Sequence, residues 1–158
     1  MSNTTAKQIL LVEDNQDDEL LTLRAFKKAS VASEVVVTRD GAEALDYLFG
    51  SGAYEGRDVS VQPQLVLLDL NLPRVNGLDV LRRIRADERT KLLSVIMLSS
   101  SKEERDVVSA YTLGANSYVR KPVGYSEFVT AVQTLSSYWL NLHELPSTLR
   151  RLPPANVP

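Results

Sequence analysis

The chain contains no cysteine and one histidine, His143. The first absence excludes disulfides, thiolate catalysis and cysteine-based zinc sites. The second excludes any two-histidine metal site and leaves a histidine-dependent triad a single candidate base. No apolar run approaches the ~20 residues that span a bilayer. Met1–Lys7 is polar and lacks the apolar segment of a secretory leader. Neither charge sign is in excess, with 18 basic residues against 20 acidic ones. Broad electrostatic binding of nucleic acid or of an anionic membrane therefore has no support. What is present is an ordinary globular mix, 44% hydrophobic and 24% charged over 158 residues, which suits one domain. The expectation is a soluble cytoplasmic protein.

Short apolar runs alternate with amphipathic stretches. Gln8–Val12, Glu34–Thr38, Leu65–Leu70, Ser94–Leu98 and Ser117–Arg120 read as strands. The run at Leu65–Leu70 is apolar throughout except for Asp69, as in a parallel strand covered on both faces. Gln16–Ala29, Gly41–Phe49, a segment carrying Leu78, Leu81 and Ile84, Lys102–Leu113 and Tyr125–Leu142 read as helices. Asn15 is placed to cap the first helix, and Gly114 to end the fourth. Gly50–Gln64 is a long loop, hence functional or mobile. Residues 1–7 are expected to form a disordered tail, 8–142 the domain, and 143–158 a loosely ordered, proline-rich extension. Five strands alternating with five helices imply an α/β fold, a doubly wound parallel sheet with right-handed crossovers. Such folds bind ligands at the carboxyl ends of their strands.

The residues at those ends are Glu13 and Asp14, Asp69, Ser99 and Ser100, and Lys121 before Pro122. Each alone is a common turn or cap. In the strand order 2-1-3-4-5 they converge on one rim, a joint occurrence that chance explains poorly. Two carboxylates about 4 Å apart repel by roughly 4 kcal/mol at an effective dielectric near 20. One lysine offsets only part of that charge, so the cluster calls for a hard divalent ion, and Mg²⁺ suits a site with few protein ligands and room for a phosphate. Asp69 is the candidate nucleophile, forming an aspartyl phosphate. Glu13 and Asp14 hold the ion in this reading. Lys121 neutralises the phosphoryl oxygens, and Ser99 donates a hydrogen bond to one of them.

With these residues in place the sequence resembles the response-regulator receiver family of two-component signalling, the CheY-like domains. The motifs are Ile9-Leu-Leu-Val-Glu-Asp-Asn15, Leu65-Val-Leu-Leu-Asp-Leu-Asn-Leu-Pro-Arg-Val-Asn-Gly77, Val95-Ile-Met-Leu-Ser-Ser100 and Tyr118-Val-Arg-Lys-Pro122. Asp69 precedes Ser99 by 30 positions and Ser99 precedes Lys121 by 22. The resemblance implies that Asp69 accepts a phosphoryl group from a phosphohistidine of a sensor histidine kinase. It implies that Asp14, Asp69 and the backbone carbonyl of Asn71 ligate Mg²⁺, with Glu13 acting mainly through water. It implies a cis Lys121–Pro122 bond, and a switch in which Ser99 moves to the phosphoryl group and Tyr118 turns inward. Ser100 stands where the family usually has alanine or glycine, which narrows phosphoryl access.

The long loop and the segment Tyr138-Trp-Leu-Asn-Leu-His-Glu-Leu145 are most similar to single-domain regulators that partner cyanobacterial-type phytochrome kinases. That subgroup implies a homodimer, with Tyr138, Trp139, Leu142 and Leu145 on the partner surface. Too few residues follow Pro122 for a helix-turn-helix, so output is expected by protein contact, without nucleic acid or membrane. His143 lies near the end of the fifth helix, far from the rim, and reads as a solvated or capping residue. The alternative class is an aspartate-nucleophile phosphatase. Its general acid would fall at Asn71, which cannot serve. Asn71 and Ser101 border the path of attacking water and neither is a strong base, so no enzymatic turnover and slow self-dephosphorylation are expected.

Overall fold

The structure is a computed structural model that describes residues 7–29 and 33–146. Its elements are β1 Lys7–Val12, α1 Gln16–Lys28, β2 Ser33–Thr38, α2 Gly41–Phe49, β3 Leu65–Leu68, α3 Gly77–Ala86, β4 Val95–Ser99, α4 Glu104–Thr112, β5 Ser117–Arg120 and α5 Tyr125–Ser137. The strands pair β2-β1-β3-β4-β5, all parallel, which is the doubly wound α/β order expected from the alternation of elements.

Alternation along β1 builds two cores. Ile9 and Leu11 face Phe26, Phe128 and Val132, whereas Leu10 and Val12 face Leu48, Leu81 and Ile84. Successive strand residues point to opposite faces, so the central strands must be apolar at every position. The helices start where side chains accept otherwise unpaired N–H groups. Asn15 Oδ1 accepts from the Asp18 N–H at 3.0 Å, Asp40 Oδ1 from Glu43 at 2.7 Å, and Asn76 Oδ1 from Asp79 at 3.0 Å.

Several boundaries differ from the sequence reading. Lys7 is the first residue of β1 rather than the last of a tail, and residues 1–6 and the proline-rich tail 147–158 lie outside the described residues. β3 stops at Leu68, one residue before Asp69, rather than running on to Leu70. α5 passes into a π-helical turn, Tyr138–Leu142, closed by the His143 N–H donating to the Tyr138 carbonyl at 2.7 Å. The His143 ring packs on Trp139, with centroids 4.4 Å apart. Lys7 donates to the Leu140 carbonyl, which fixes this turn at the amino-terminal end of β1, opposite the rim.

The 50–64 loop is anchored rather than free. Tyr54 meets the edge of Tyr47 at 5.0 Å and donates to Glu43 at 3.0 Å. The Arg57 guanidinium stacks on Tyr47 at 3.9 Å. These contacts replace the water that an unstructured loop would keep. The peptide bonds are trans throughout the described residues, Lys121–Pro122 included, against the expected cis bond. The two isomers of a proline bond differ by only about 0.5–1 kcal/mol, and the trans chain already carries the Lys121 side chain to the rim.

Candidate functional site

Three backbone hydrogen bonds extend the sheet ladder by one residue and fix the rim. The Glu13 N–H donates to the Thr38 carbonyl at 3.0 Å, Asp69 to Val12 at 3.1 Å, and Lys121 to Ser99 at 2.8 Å. The side chains of Glu13, Asp69 and Lys121 therefore leave a rigid edge, not a loop. Gly77 lets the start of α3 pack directly against the Asp69 backbone, because a Cβ at that position would lie 2.1 Å from the Asp69 carbonyl oxygen. Its N–H donates to the Leu70 carbonyl at 2.8 Å.

Lys121 stands at the centre. Its Nζ lies 2.7 Å from Glu13 Oε1, 2.9 Å from Asp18 Oδ2 and 3.4 Å from Asp69 Oδ2. Glu13 Oε2 also accepts from the Asn15 N–H at 3.1 Å, and Asp69 Oδ1 from the Leu70 N–H at 2.7 Å. Glu13 is 2% exposed and Asp69 8%. Burial pushes the Glu13 carboxyl up to about 7, against the pull of Lys121 and with added repulsion from Asp69. Burial likewise raises Asp69, again opposed by Lys121. Burial by itself would lower Lys121, but the charge of Asp69 and the bonds to Glu13 and Asp18 outweigh it, so the ammonium stays charged. One ammonium cannot balance this many carboxylates, and a proton or a cation must make up the difference.

One oxygen each from Glu13, Asp14 and Asp69 lie within 4.8 Å of one another, an all-oxygen set that fits a hard dication. Asp14 and Asp69 also line an open cleft of about 500 Å³, with Asp17, Asp18, Ser100 and Lys121. Asn71 is exposed and lines a neighbouring cleft with Ser101, Lys102 and Asp106, Ser100 forming part of both walls.

The sequence-predicted residues thus separate into three groups. Glu13, Asp14, Asp69 and Lys121 meet at the rim. Ser99 is fully buried, its Oγ accepting from the Ser101 N–H at 3.1 Å, and Ser100 is the serine that faces the cleft. Tyr118 is half-buried and its hydroxyl donates to the Ser101 carbonyl at 3.3 Å, so Ser99 and Tyr118 are linked through Ser101. At the opposite end, Tyr138 and Leu142 are exposed, Trp139 packs partly on the α1–α5 core, and Leu145 is 7% exposed. Leu145 therefore does not belong on a partner surface of this chain, because the residues after the π turn fold it onto the chain's own interior. Asp18 was not visible as a site residue. In sequence it is one of three acids, Asp17, Asp18 and Glu19, in the first turn of a helix, where acids favour the helix dipole. Its position as the third residue after the Asn15 cap was the available signal.

Residues 9–133 match the response regulator receiver domain. The chain belongs to the response regulator receiver family. It is 37% identical over 141 residues to "Response regulator Rcp1" of Synechocystis, covering 89% of this chain and 94% of that protein. It superposes on the phosphorylated cyanobacterial phytochrome response regulator RcpA with a TM-score of 0.84 and 39% identity, covering 90% of this chain and 99% of RcpA. The Mn²⁺-bound form of Rcp1 gives a TM-score of 0.82 at 36% identity, over 89% of this chain and 99% of the other. The fold and the place of the chain in two-component signalling follow from this membership, and the likeness to phytochrome response regulators from the match to Rcp1 and RcpA. A receiver implies a histidine kinase partner. Among the described residues no helix is long and apolar enough to cross a membrane.

Proposed function

We propose that this receiver accepts a phosphoryl group on Asp69 from the phosphohistidine of a phytochrome-type sensor kinase in the cytoplasm. The observation that carries this reading is the convergence of Lys121 on Glu13, Asp18 and Asp69 beside the three clustered carboxylates. Asp69 Oδ1 accepts from the Leu70 N–H at 2.7 Å, whereas Oδ2 faces Lys121 at the longer distance of 3.4 Å. Oδ2 therefore attacks phosphorus, the P–N bond to the kinase imidazole breaks, and the imidazole leaves. Glu13, Asp14, Asp69 and the Asn71 carbonyl would hold Mg²⁺, Glu13 through water. When bound, the ion would supply positive charge to the phosphoryl oxygens. Lys121 supplies the second positive charge from the protein itself.

The switch runs from Ser99 through Ser101 to Tyr118. A new anion on Asp69 draws the Ser99 hydroxyl, releases the Ser101 N–H and unsettles the acceptor of the Tyr118 hydroxyl. Val108, Tyr111, Val123, Tyr138 and Leu142 remain exposed and supply an apolar surface for a homodimer. The aspartate-nucleophile phosphatase is not favoured, since Asn71 stands where its general acid would be. Hydrolysis of the acyl phosphate is slow, because neither Asn71 nor Ser101 is a base, and Ser101 Oγ is already bonded to Asp106.

The test is incubation with Mg²⁺ and acetyl phosphate, followed by peptide mapping. A hydroxylamine-sensitive adduct on Asp69, absent from Asp69→Asn, is expected. No adduct, or one that persists in Asp69→Asn, defeats the reading.

A further inference from the structure

Lys121 has three N–H donors and three carboxylate acceptors, and its two shortest contacts do not go to Asp69. Asp18 reaches it from another element. The first turn of α1 holds Asp18 by both ends of its peptide. Its N–H donates to Asn15 Oδ1 at 3.0 Å, and its carbonyl accepts from Thr22 Oγ1 at 2.7 Å. The side chain is 28% exposed, so the carboxylate lies on the wall of the cleft beside Lys121 rather than deep under it.

We propose that Asp18 is a positioning residue that holds the Lys121 ammonium away from Asp69 until a phosphoryl group competes for it. The inference rests on the reading of Asp69 as phosphoacceptor. Charge-assisted hydrogen bonds are roughly twice as strong as neutral ones. A group arriving on Asp69 therefore draws Lys121 in from its long 3.4 Å contact only against the pull of the Asp18 carboxylate. Asp18 acts as a counterweight: it lowers the affinity of the site for a phosphoryl group and opposes premature adoption of the switched state. Asp17 gives an internal comparison. It lines the same cleft and carries the same charge, but it is exposed and has no bond to Lys121 among the contacts of the ammonium.

The experiment measures the affinity for beryllofluoride, a phosphoryl mimic, by calorimetry at saturating Mg²⁺. Asp18→Asn keeps the shape of the side chain and the backbone cap, and a thermal melt confirms folding. It should bind about three- to ten-fold more tightly than the parent protein. Asp17→Asn should change the affinity by less than about two-fold, as expected of a solvated charge. In a Lys121→Gln background the gain from Asp18→Asn should vanish. Unchanged binding in Asp18→Asn, an equal gain in Asp17→Asn, or a gain that survives without Lys121 overturns the proposal. Binding that persists undiminished in Asp69→Asn instead defeats the parent reading, whatever Asp18 does.

Discussion

Leu67 and Asp69 are two residues apart and both are shut off from water, at 1% and 8% exposure. Leu67 sits in an apolar cluster with Ile9, Leu11, Phe26 and Ile96, and its burial stabilises the fold through area removed from water and close packing. Around Asp69 burial has the opposite sign. It raises the free energy of each carboxylate, and the rim persists because Lys121 and the backbone N–H groups of Asn15 and Leu70 partly offset that cost. The same strands thus carry a stabilising slab and, one residue past its edge, a site held under electrostatic stress. A site built this way is poised to accept positive charge and to respond when its charge changes.

The comparison is sharpest where substitutions act on one half alone. Leu67→Ala should cost about 3 kcal/mol in urea unfolding through the cavity it leaves, with phosphoryl uptake per folded molecule unchanged. Loss of uptake in the folded fraction would show that slab and rim are not separable. Lys121→Met should cost about 2–3 kcal/mol at neutral pH without divalent ions, since it strands buried carboxylates. Added Mg²⁺ should recover part of that loss, and a variant as stable as the parent in chelator would break the contrast.

Glu13 provides a pH test. Its folded carboxyl titrates near 7, against 4.5 for the ordinary value. The folded state binds the proton more tightly, so stability contributed by protonation is lost as pH rises from about 4.5 through about 7. The effect should be on the order of 3 kcal/mol in chelator and absent from Glu13→Gln. A stability that rises with pH through this window would reverse the assignment of burial as its cause. The smallest effect is expected for Asp69→Asn, which removes one crowded charge and keeps the Leu70 bond. A stabilisation of no more than about 1 kcal/mol without divalent ions is expected from thermal melts.

Much of this contrast is legible in the amino-acid sequence. The apolar run Leu65–Leu68 announces a strand covered on both faces, and the polar residue that ends each run announces the rim. Glu13, Asp14, Asp69 and Lys121 were found because strand ends are visible in sequence. Asp18 was hidden because its role depends on the rotation of α1 over the strand ends, and an acid in a first helical turn has an ordinary explanation. The adjacent pair Ser99 and Ser100 shows a second limit. Pleat alternation decides which hydroxyl faces the cleft, and the last ladder bond that sets it is a tertiary feature. Leu145 shows a third, since its burial depends on how the chain turns after Leu142. The Lys121–Pro122 isomer was not legible either, because its two forms lie so close in energy.

The rim is short of positive charge and built to take a dication. Calorimetry of Mg²⁺ binding to the parent protein and to Asp14→Asn tests this directly. A single site in the parent, weakened about ten-fold or more in Asp14→Asn, is predicted. Absence of Mg²⁺ binding, or equal affinity in the two proteins, would contradict it.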